Sequence, residues 1–215
     1  MRLRPRRELG GDFYKLLSVL LKYPDERVLA AGDELAAAIA VLPPSRQRQA
    51  VERFWAYWIG ATALERAQRY VETFDFQKRG ALYLSYYLEG DKRQRGTILL
   101  RLKQLYAAAG LIPHGNELPD YLPVVLEFAA WAPKGYGEVV LGELRPAIEV
   151  VRTSLRELGS PYVHLLDALC ENLPRLAPLD AERMQRIIAG GPPTETVGLE
   201  PFAPPEVMPA TETRR

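Results

Sequence analysis

The first indication of the fold class comes from residues 13–24, which read Phe-Tyr-Lys-Leu-Leu-Ser-Val-Leu-Leu-Lys-Tyr-Pro. The large apolar side chains of this stretch share the i, i+3, i+4, i+7, i+8 spacing of one helical face, and they are Phe13, Leu16, Leu17, Leu20 and Leu21. A proline disfavours helical backbone at the residue before it. The pattern therefore predicts a helix that ends before Pro24.

The same period recurs along most of the chain. Apolar helical faces are predicted within 25–42, 45–59, 62–74, 91–110, 120–129, 144–158 and 160–173. Ser45, Ser160 and the Thr62–Glu65 pair are expected to cap three helices, Gly110 to close one, and Pro146 to bend another. The tyrosine-rich stretch 81–88 has the composition of a strand, but no second strand-like run is present to pair with it, which favours a helix.

These patterns predict an all-α protein, a single-domain multi-helix bundle with flexible tails at both ends. We expect a basic N-terminal tail at 1–9, the helical domain at 10–189 and a flexible tail at 190–215, which contains six prolines. The arginines before the first helix resemble a signal peptide, but Lys15 interrupts the apolar stretch and no small-residue cleavage site follows. No window approaches 18 uninterrupted apolar residues, so no transmembrane helix is expected.

Composition argues against several functional classes. A formal net charge of +1 gives no bulk attraction to nucleic acid or anionic lipid. One cysteine and two histidines cannot complete a closed zinc site without carboxylates, and Cys170 falls on an apolar face where burial is expected. Phosphate-binding loops, nucleophile elbows and paired-histidine motifs are missing from the sequence. Glu117 and Asp120 could pair as acid and base, but the rest of the chain favours a protein that is not an enzyme and holds no metal or cofactor.

Aromatic and acidic residues concentrate in one region. Residues 70–128 contain six of the eleven tyrosines, whose rings suit either a groove that is wet when empty or a completed core. Residues 117–128 carry Glu117, Asp120 and Glu127 and no basic residue. Asp120 is expected to cap the following helix, and the whole segment could form a rim that favours a basic amphipathic helix. The basic residues Lys92, Arg93, Arg95, Arg101 and Lys103 form either a solvated face or a surface that orients an acidic part of a partner.

Six segments of this sequence closely resemble the NarJ family of nitrate reductase molybdenum cofactor assembly chaperones, also described as the delta subunit of that enzyme. They are LSVLLKYPD (17–25), YVETFDF (70–76), LYLSYY (82–87), GDKRQRG (90–96), LRLKQLY (100–106) and ELPDYLP (117–123). The resemblance runs over about residues 13–131. The predicted helices after residue 131 resemble the family in their arrangement along the chain more than in their amino-acid sequence.

The resemblance implies an all-α, cytoplasmic protein without catalysis of its own. Family members bind the N-terminal leader of the nitrate reductase catalytic (alpha) subunit, a degenerate twin-arginine-type signal. They keep the apoenzyme competent for insertion of the bis-molybdopterin guanine dinucleotide cofactor and delay its membrane docking. A wider group of related chaperones carries Glu-x-Pro-Asp-His where this chain has Tyr121 in the last position. That difference argues against the nucleotide-binding role proposed for the wider group.

A client-peptide groove is the site that we expect. Its apolar lining is predicted to be Tyr70, Phe74, Tyr83, Tyr87, Leu102, Tyr106, Leu122 and Leu126, with Glu117, Asp120 and Glu127 meeting basic groups of the client. Three alternatives stay open, namely a structural subunit of the reductase, a chaperone of a related molybdoenzyme, and a carrier of cofactor or nucleotide. The oligomeric state is left open.

Overall fold

The computed structural model describes residues 9–77, 79–88, 92–112, 117–174, 181–182 and 184–185. Within these ranges the protein has eleven α-helices and no strand, which confirms the all-α fold class. The helices are α1 Gly11–Leu20, α2 Glu26–Ala30, α3 Gly32–Ala40, α4 Arg46–Gly60, α5 Ala63–Phe74, α6 Ser85–Leu88, α7 Lys92–Ala108, α8 Leu122–Trp131, α9 Tyr136–Glu143, α10 Arg145–Glu157 and α11 Val163–Asn172. The expected tail at 190–215 and most of the basic N-terminal tail lie outside the described residues.

Several helix ends form as local chemistry predicts. The Ser45 side chain accepts a hydrogen bond from the backbone N–H of Arg48 at 3.1 Å, which caps α4. Thr62 and Glu65 form a complete capping box at the start of α5. Gly110 follows α7 with a φ of +74°, a left-handed conformation that glycine adopts without a steric penalty.

Three expectations about the helices are wrong. The segment 25–42 divides into α2 and α3, and the helix expected over 144–158 forms as α10 but has its proline at the start instead of at a bend. Pro146 lies in the first turn of α10, where its missing N–H removes no helical hydrogen bond. Ser160 does not cap α11, since the residue before that helix is Tyr162, which makes no capping bond through its side chain.

The tyrosine-rich stretch 81–88 is helical only in its second half. Tyr83 forms an isolated antiparallel bridge with Tyr121. In this bridge the N–H of Leu84 donates to the carbonyl of Asp120 at 3.1 Å, and the N–H of Leu122 donates to the carbonyl of Leu82 at 2.8 Å. The partner segment is too short to show a strand pattern, so the sequence could not reveal it.

One half of the core is formed by α1 and α8, which pack antiparallel. The Ser18 hydroxyl donates to the carbonyl of Pro123 at 2.8 Å, while Gly11 lies against Ala130 at the other end of the pair. A Cβ at position 11 would come within 2.4 Å of the Ala130 carbonyl oxygen, so only glycine permits this approach.

The other half of the core surrounds α11, which packs between α4 and α10. The ring of Tyr162 contacts Phe54 and Phe74 at centroid distances of 5.1 and 4.8 Å. The expected burial of Cys170 is confirmed, and burial raises the pKa of its thiol to about 11. A buried cysteine with a raised pKa is a packing residue and a poor nucleophile.

Candidate functional site

Most of the apolar residues predicted for the groove lie in the core of the described structure. Seven of the eight are buried, and these are Tyr70, Phe74, Tyr87, Leu102, Tyr106, Leu122 and Leu126. Three of them donate or share their hydroxyl hydrogen within the protein: Tyr70 with the Tyr121 hydroxyl at 3.0 Å, Tyr87 with the Ala81 carbonyl at 2.9 Å and Tyr106 with the Pro119 carbonyl at 2.7 Å. In this conformation these seven side chains are packed inside the protein and are not accessible to a client. Their role in client binding stays a prediction.

The buried tyrosines are held as neutral hydrogen-bonding groups. Burial raises the pKa of Tyr70, Tyr87 and Tyr106, because the phenolate form would lose its hydration. The ring of Tyr106 also stacks on Phe128 with a centroid distance of 4.1 Å. This stacking contact packs α7 against α8, so Tyr106 helps to position α7.

Asp120 is fully buried and joins the loop before α8 to α6. Its carboxylate accepts hydrogen bonds from the Ser85 N–H at 3.0 Å and the Ser85 hydroxyl at 2.6 Å. Arg95 approaches the same hydroxyl, with its Nε at 3.2 Å. The expectation that Asp120 caps α8 is wrong, since Tyr121 holds the N-cap position and has no capping bond. The physical reason is that the bridge between Tyr83 and Tyr121 brings the amide of Ser85 to the carboxylate.

An aromatic and acidic surface lies at the start of α8, around the half-buried ring of Tyr121. Tyr83 packs on that ring at 5.1 Å and donates its hydroxyl to Glu117 Oε2 at 3.1 Å. Burial, followed by the charge of Glu117, raises the pKa of Tyr83 to about 12. Burial is also the largest cause of the raised pKa of Tyr121, and the charges of Glu117 and Asp75 add to it. No lysine or arginine forms an ion pair with Glu117 or Asp75 in the described part of the chain.

An open groove of about 550 Å³ lies further along α8. Its lining is mostly apolar and consists of Gly110, Leu111, Ile112, Val124, Glu127, Phe128 and Trp131. Val124, Phe128 and Trp131 follow one another at i, i+4 and i+7 on α8, and Ile112 lies on the opposite wall. Ile112 is 79% exposed and Trp131 is 66% exposed, which is unusual for such large apolar side chains.

Glu127 is the one predicted site residue that lines this groove. Its carboxylate pairs with Lys15 and with Lys22, the second at 3.4 Å. Partial burial acts to raise the pKa of Glu127, but the hydrogen bonds and charges of the two lysines outweigh it and the pKa is lowered. Two ammonium groups therefore surround one carboxylate at the edge of the groove.

The groove residues that were not predicted from the sequence include Ile112, Val124, Phe128 and Trp131. A signal was available, because α8 is apolar around most of its circumference and the prediction used only the face that carries Leu122 and Leu126. A helix of that kind needs a second apolar surface to cover it.

In the residues that the structure describes, these observations define a class of protein, an all-helical domain with an accessible apolar groove. The described residues contain no group of three or more His, Cys, Asp or Glu side chains that could hold a metal ion. None of the described helices combines the length and apolar content that crossing a membrane requires.

Comparison with known proteins identifies the family. The profile of the nitrate reductase delta subunit family matches residues 31–168, and the chain belongs to that family. The resemblance seen in the sequence is thereby confirmed. The match covers most of the helical domain, including the starting segment of α8 and both walls of the groove.

Relatives with known names come from several bacteria. The chain is 37% identical over 165 residues to the nitrate reductase-like protein NarX of Mycobacterium tuberculosis, a match that covers 75% of this chain and 25% of that protein. It is 34% identical to the probable nitrate reductase molybdenum cofactor assembly chaperone NarJ of Bacillus subtilis, covering 73% of this chain and 85% of that one. For NarJ of Escherichia coli K12 the identity is 30%, with coverages of 72% and 66%. The chain thus spans about a quarter of the mycobacterial relative.

Proposed function

We propose that this chain is a system-specific chaperone for the assembly of a respiratory nitrate reductase. The observation that carries the proposal is the family match over residues 31–168, together with relatives named as molybdenum cofactor assembly chaperones. The protein acts in the cytoplasm and catalyses no reaction. It keeps the apoenzyme competent for insertion of the molybdenum cofactor before the enzyme docks at the membrane.

The contact with the client is the N-terminal leader of the catalytic subunit. A leader that is disordered when free loses about 2–5 kcal/mol on ordering. Burial of a few apolar side chains, at about 1.5–3 kcal/mol each, offsets that loss. A net free energy of about −8 kcal/mol corresponds to micromolar binding, which permits both capture and release. The exposed side chains of Ile112 and Trp131 support such a contact, because an apolar partner would remove them from water.

The residues predicted from sequence enter this proposal in two ways. Tyr83, Glu117 and Glu127 reach the surface and can contact the leader directly. The buried ones, such as Tyr87 and Asp120, act by holding the loops that flank α8. If Asp120→Ala and Tyr87→Ala variants stay folded and still bind the leader like the wild type, these two residues have no role in the site.

Calorimetric titration tests the proposal. The purified protein is titrated with a synthetic peptide of the host nitrate reductase catalytic subunit's N-terminus, and with a scrambled peptide of the same composition as a control. We expect saturable one-to-one binding with a negative heat-capacity change, because apolar surface is buried. Absence of heat and of any thermal shift with the authentic peptide would contradict leader recognition.

A structural subunit of the reductase is the second candidate. It is favoured by the mycobacterial relative, in which the matched region is only a quarter of a longer protein. Purification of the mature, membrane-bound enzyme separates the two functions. A chaperone is absent from that preparation, whereas a subunit is present in stoichiometric amount.

A further inference from the structure

We infer that the leader lies along the outer face of α8 in one direction, with its basic part at Glu117 and its apolar helical face between Ile112 and Trp131. The inference rests on the proposed function and adds the place and polarity of the contact. It is carried by an acidic surface at the start of α8 and an apolar groove further along the same helix.

The apolar end is formed to receive a helix. Trp131 lies seven positions after Val124 on α8, with Phe128 between them, so the three side chains extend over about 10 Å at 1.5 Å per residue. That length matches two turns of a partner helix whose own anchors lie at i, i+3, i+4 and i+7. Ile112 supplies the facing wall, and no described element covers it.

The acidic end is formed to receive a cation. The Glu117 carboxylate accepts the Tyr83 hydroxyl at 3.1 Å, and neither Glu117 nor Asp75 forms an ion pair with a lysine or arginine among the described residues. The half-buried ring of Tyr83, whose hydroxyl binds Glu117, adds an aromatic face beside the carboxylate. Guanidinium groups bind such a combination well, because they stack on aromatic rings and pair with carboxylates.

Two lysines at the apolar end favour one direction of the leader over the other. Glu127 lies six residues beyond Tyr121, which places it about 9 Å further along the helix axis. Lys15 and Lys22 together more than neutralise its charge. A basic residue of the leader is therefore attracted at the Glu117 end and repelled near the groove, so the reversed orientation is disfavoured.

Paired variants test the place of binding. Ile112→Ala removes a groove wall, and Ile59→Ala is its matched control, because Ile59 is 63% exposed on α4 outside the groove. Titration with the leader peptide is expected to show about tenfold or more weaker binding for I112A and unchanged binding for I59A. Equal affinities for the two variants would overturn the groove assignment, and sedimentation would then show whether a second copy of this chain covers it.

Charge reversal tests the polarity. Glu117→Lys is expected to weaken binding of the leader about tenfold, and a peptide with its basic residues changed to glutamate should bind E117K better than it binds the wild type. Glu34→Lys, on the exposed side of α3, is the matched control. A photoreactive group at the basic end of the peptide should crosslink near residue 117, and crosslinking near residue 131 would overturn the direction. If the leader peptide binds the wild type and E117K with equal affinity, this inference is rejected and the proposed function is retained. If the peptide does not bind the wild type, both are rejected.

Discussion

The helices α7 and α10 have similar lengths but very different surroundings. In α10, nine of the thirteen residues are buried, including a charged pair. In α7, only Leu102 and Tyr106 are buried among the residues from 95 to 108. The first helix is enclosed by its neighbours, whereas the second lies at the edge of the bundle and leads into the wall of the groove.

From this difference we expect stability and the proposed leader binding to depend on separate parts of the molecule. A buried helix contributes most of its free energy through packing, so changes there should unfold the protein. An edge helix with few buried side chains opens locally at lower free energy, which is typical of elements beside binding sites.

The buried ion pair of α10 should give the largest effect. Arg145 Nη2 lies 2.6 Å from Glu149 Oε1, and both side chains are almost fully buried. Glu149→Ala leaves the Arg145 charge without this partner, so we expect a loss of about 3–5 kcal/mol in the free energy of unfolding. Urea denaturation measures it. The control is Glu143→Ala, which breaks the exposed pair between Arg101 and α9 and should cost about 0–1 kcal/mol. Similar losses for both variants would contradict the contrast.

Leucine truncations compare the two helices directly. Leu155 is fully buried in α10, whereas Leu100 is mostly exposed on α7. We expect Leu155→Ala to lower the unfolding free energy by about 2–5 kcal/mol and Leu100→Ala to change it by less than about 0.5 kcal/mol. Thermal and urea unfolding of both variants check this. A large loss for Leu100→Ala would mean that α7 is packed more tightly than its exposure indicates.

The contact between Asp120 and Ser85 should have an intermediate effect. Ser85→Ala removes the hydroxyl donor but keeps the backbone N–H bond to the carboxylate. We expect a loss of about 1–3 kcal/mol, because a buried carboxylate keeps only part of its hydrogen bonding. A double-mutant cycle with Asp120→Asn measures the coupling between the two side chains. Additive losses would show that the two residues act independently.

Substitution of a lysine at the groove should have the smallest effect on stability and a clear effect on the pKa of Glu127. The pKa of Glu127 is lowered in the folded state, so its contribution to stability is present above the unfolded-state pKa and declines as the pH falls through the folded-state value. Lys15→Met should raise the pKa of Glu127, as followed by carboxyl-carbon NMR, while Lys103→Met on exposed α7 leaves it unchanged. An unchanged pKa in Lys15→Met would remove the charge argument for leader direction.

Local sequence determined much of this protein. The apolar period along α1, the capping box at Thr62 and the glycine after α7 are properties of neighbouring residues, so they could be predicted without a structure. The resemblance to the family could also be seen in the sequence, because it is carried by six short contiguous segments. The division of 25–42 into α2 and α3 was not predicted, because the apolar period continues across it.

Which side chains are buried and which line an accessible groove could be seen only in the tertiary structure. Tyr70 and Tyr106 fit a groove or a core equally well by composition, and only the packing of α7 on α8 buries Tyr106. Asp120 was predicted to cap α8, but its carboxylate accepts hydrogen bonds from Ser85 instead. The bridge between Tyr83 and Tyr121 brings these two distant residues together. Ile112 and Trp131 line the same groove although they are nineteen positions apart in the sequence. Helical period reports which faces of a helix are apolar, but which of those faces stays uncovered depends on every other element that packs against it.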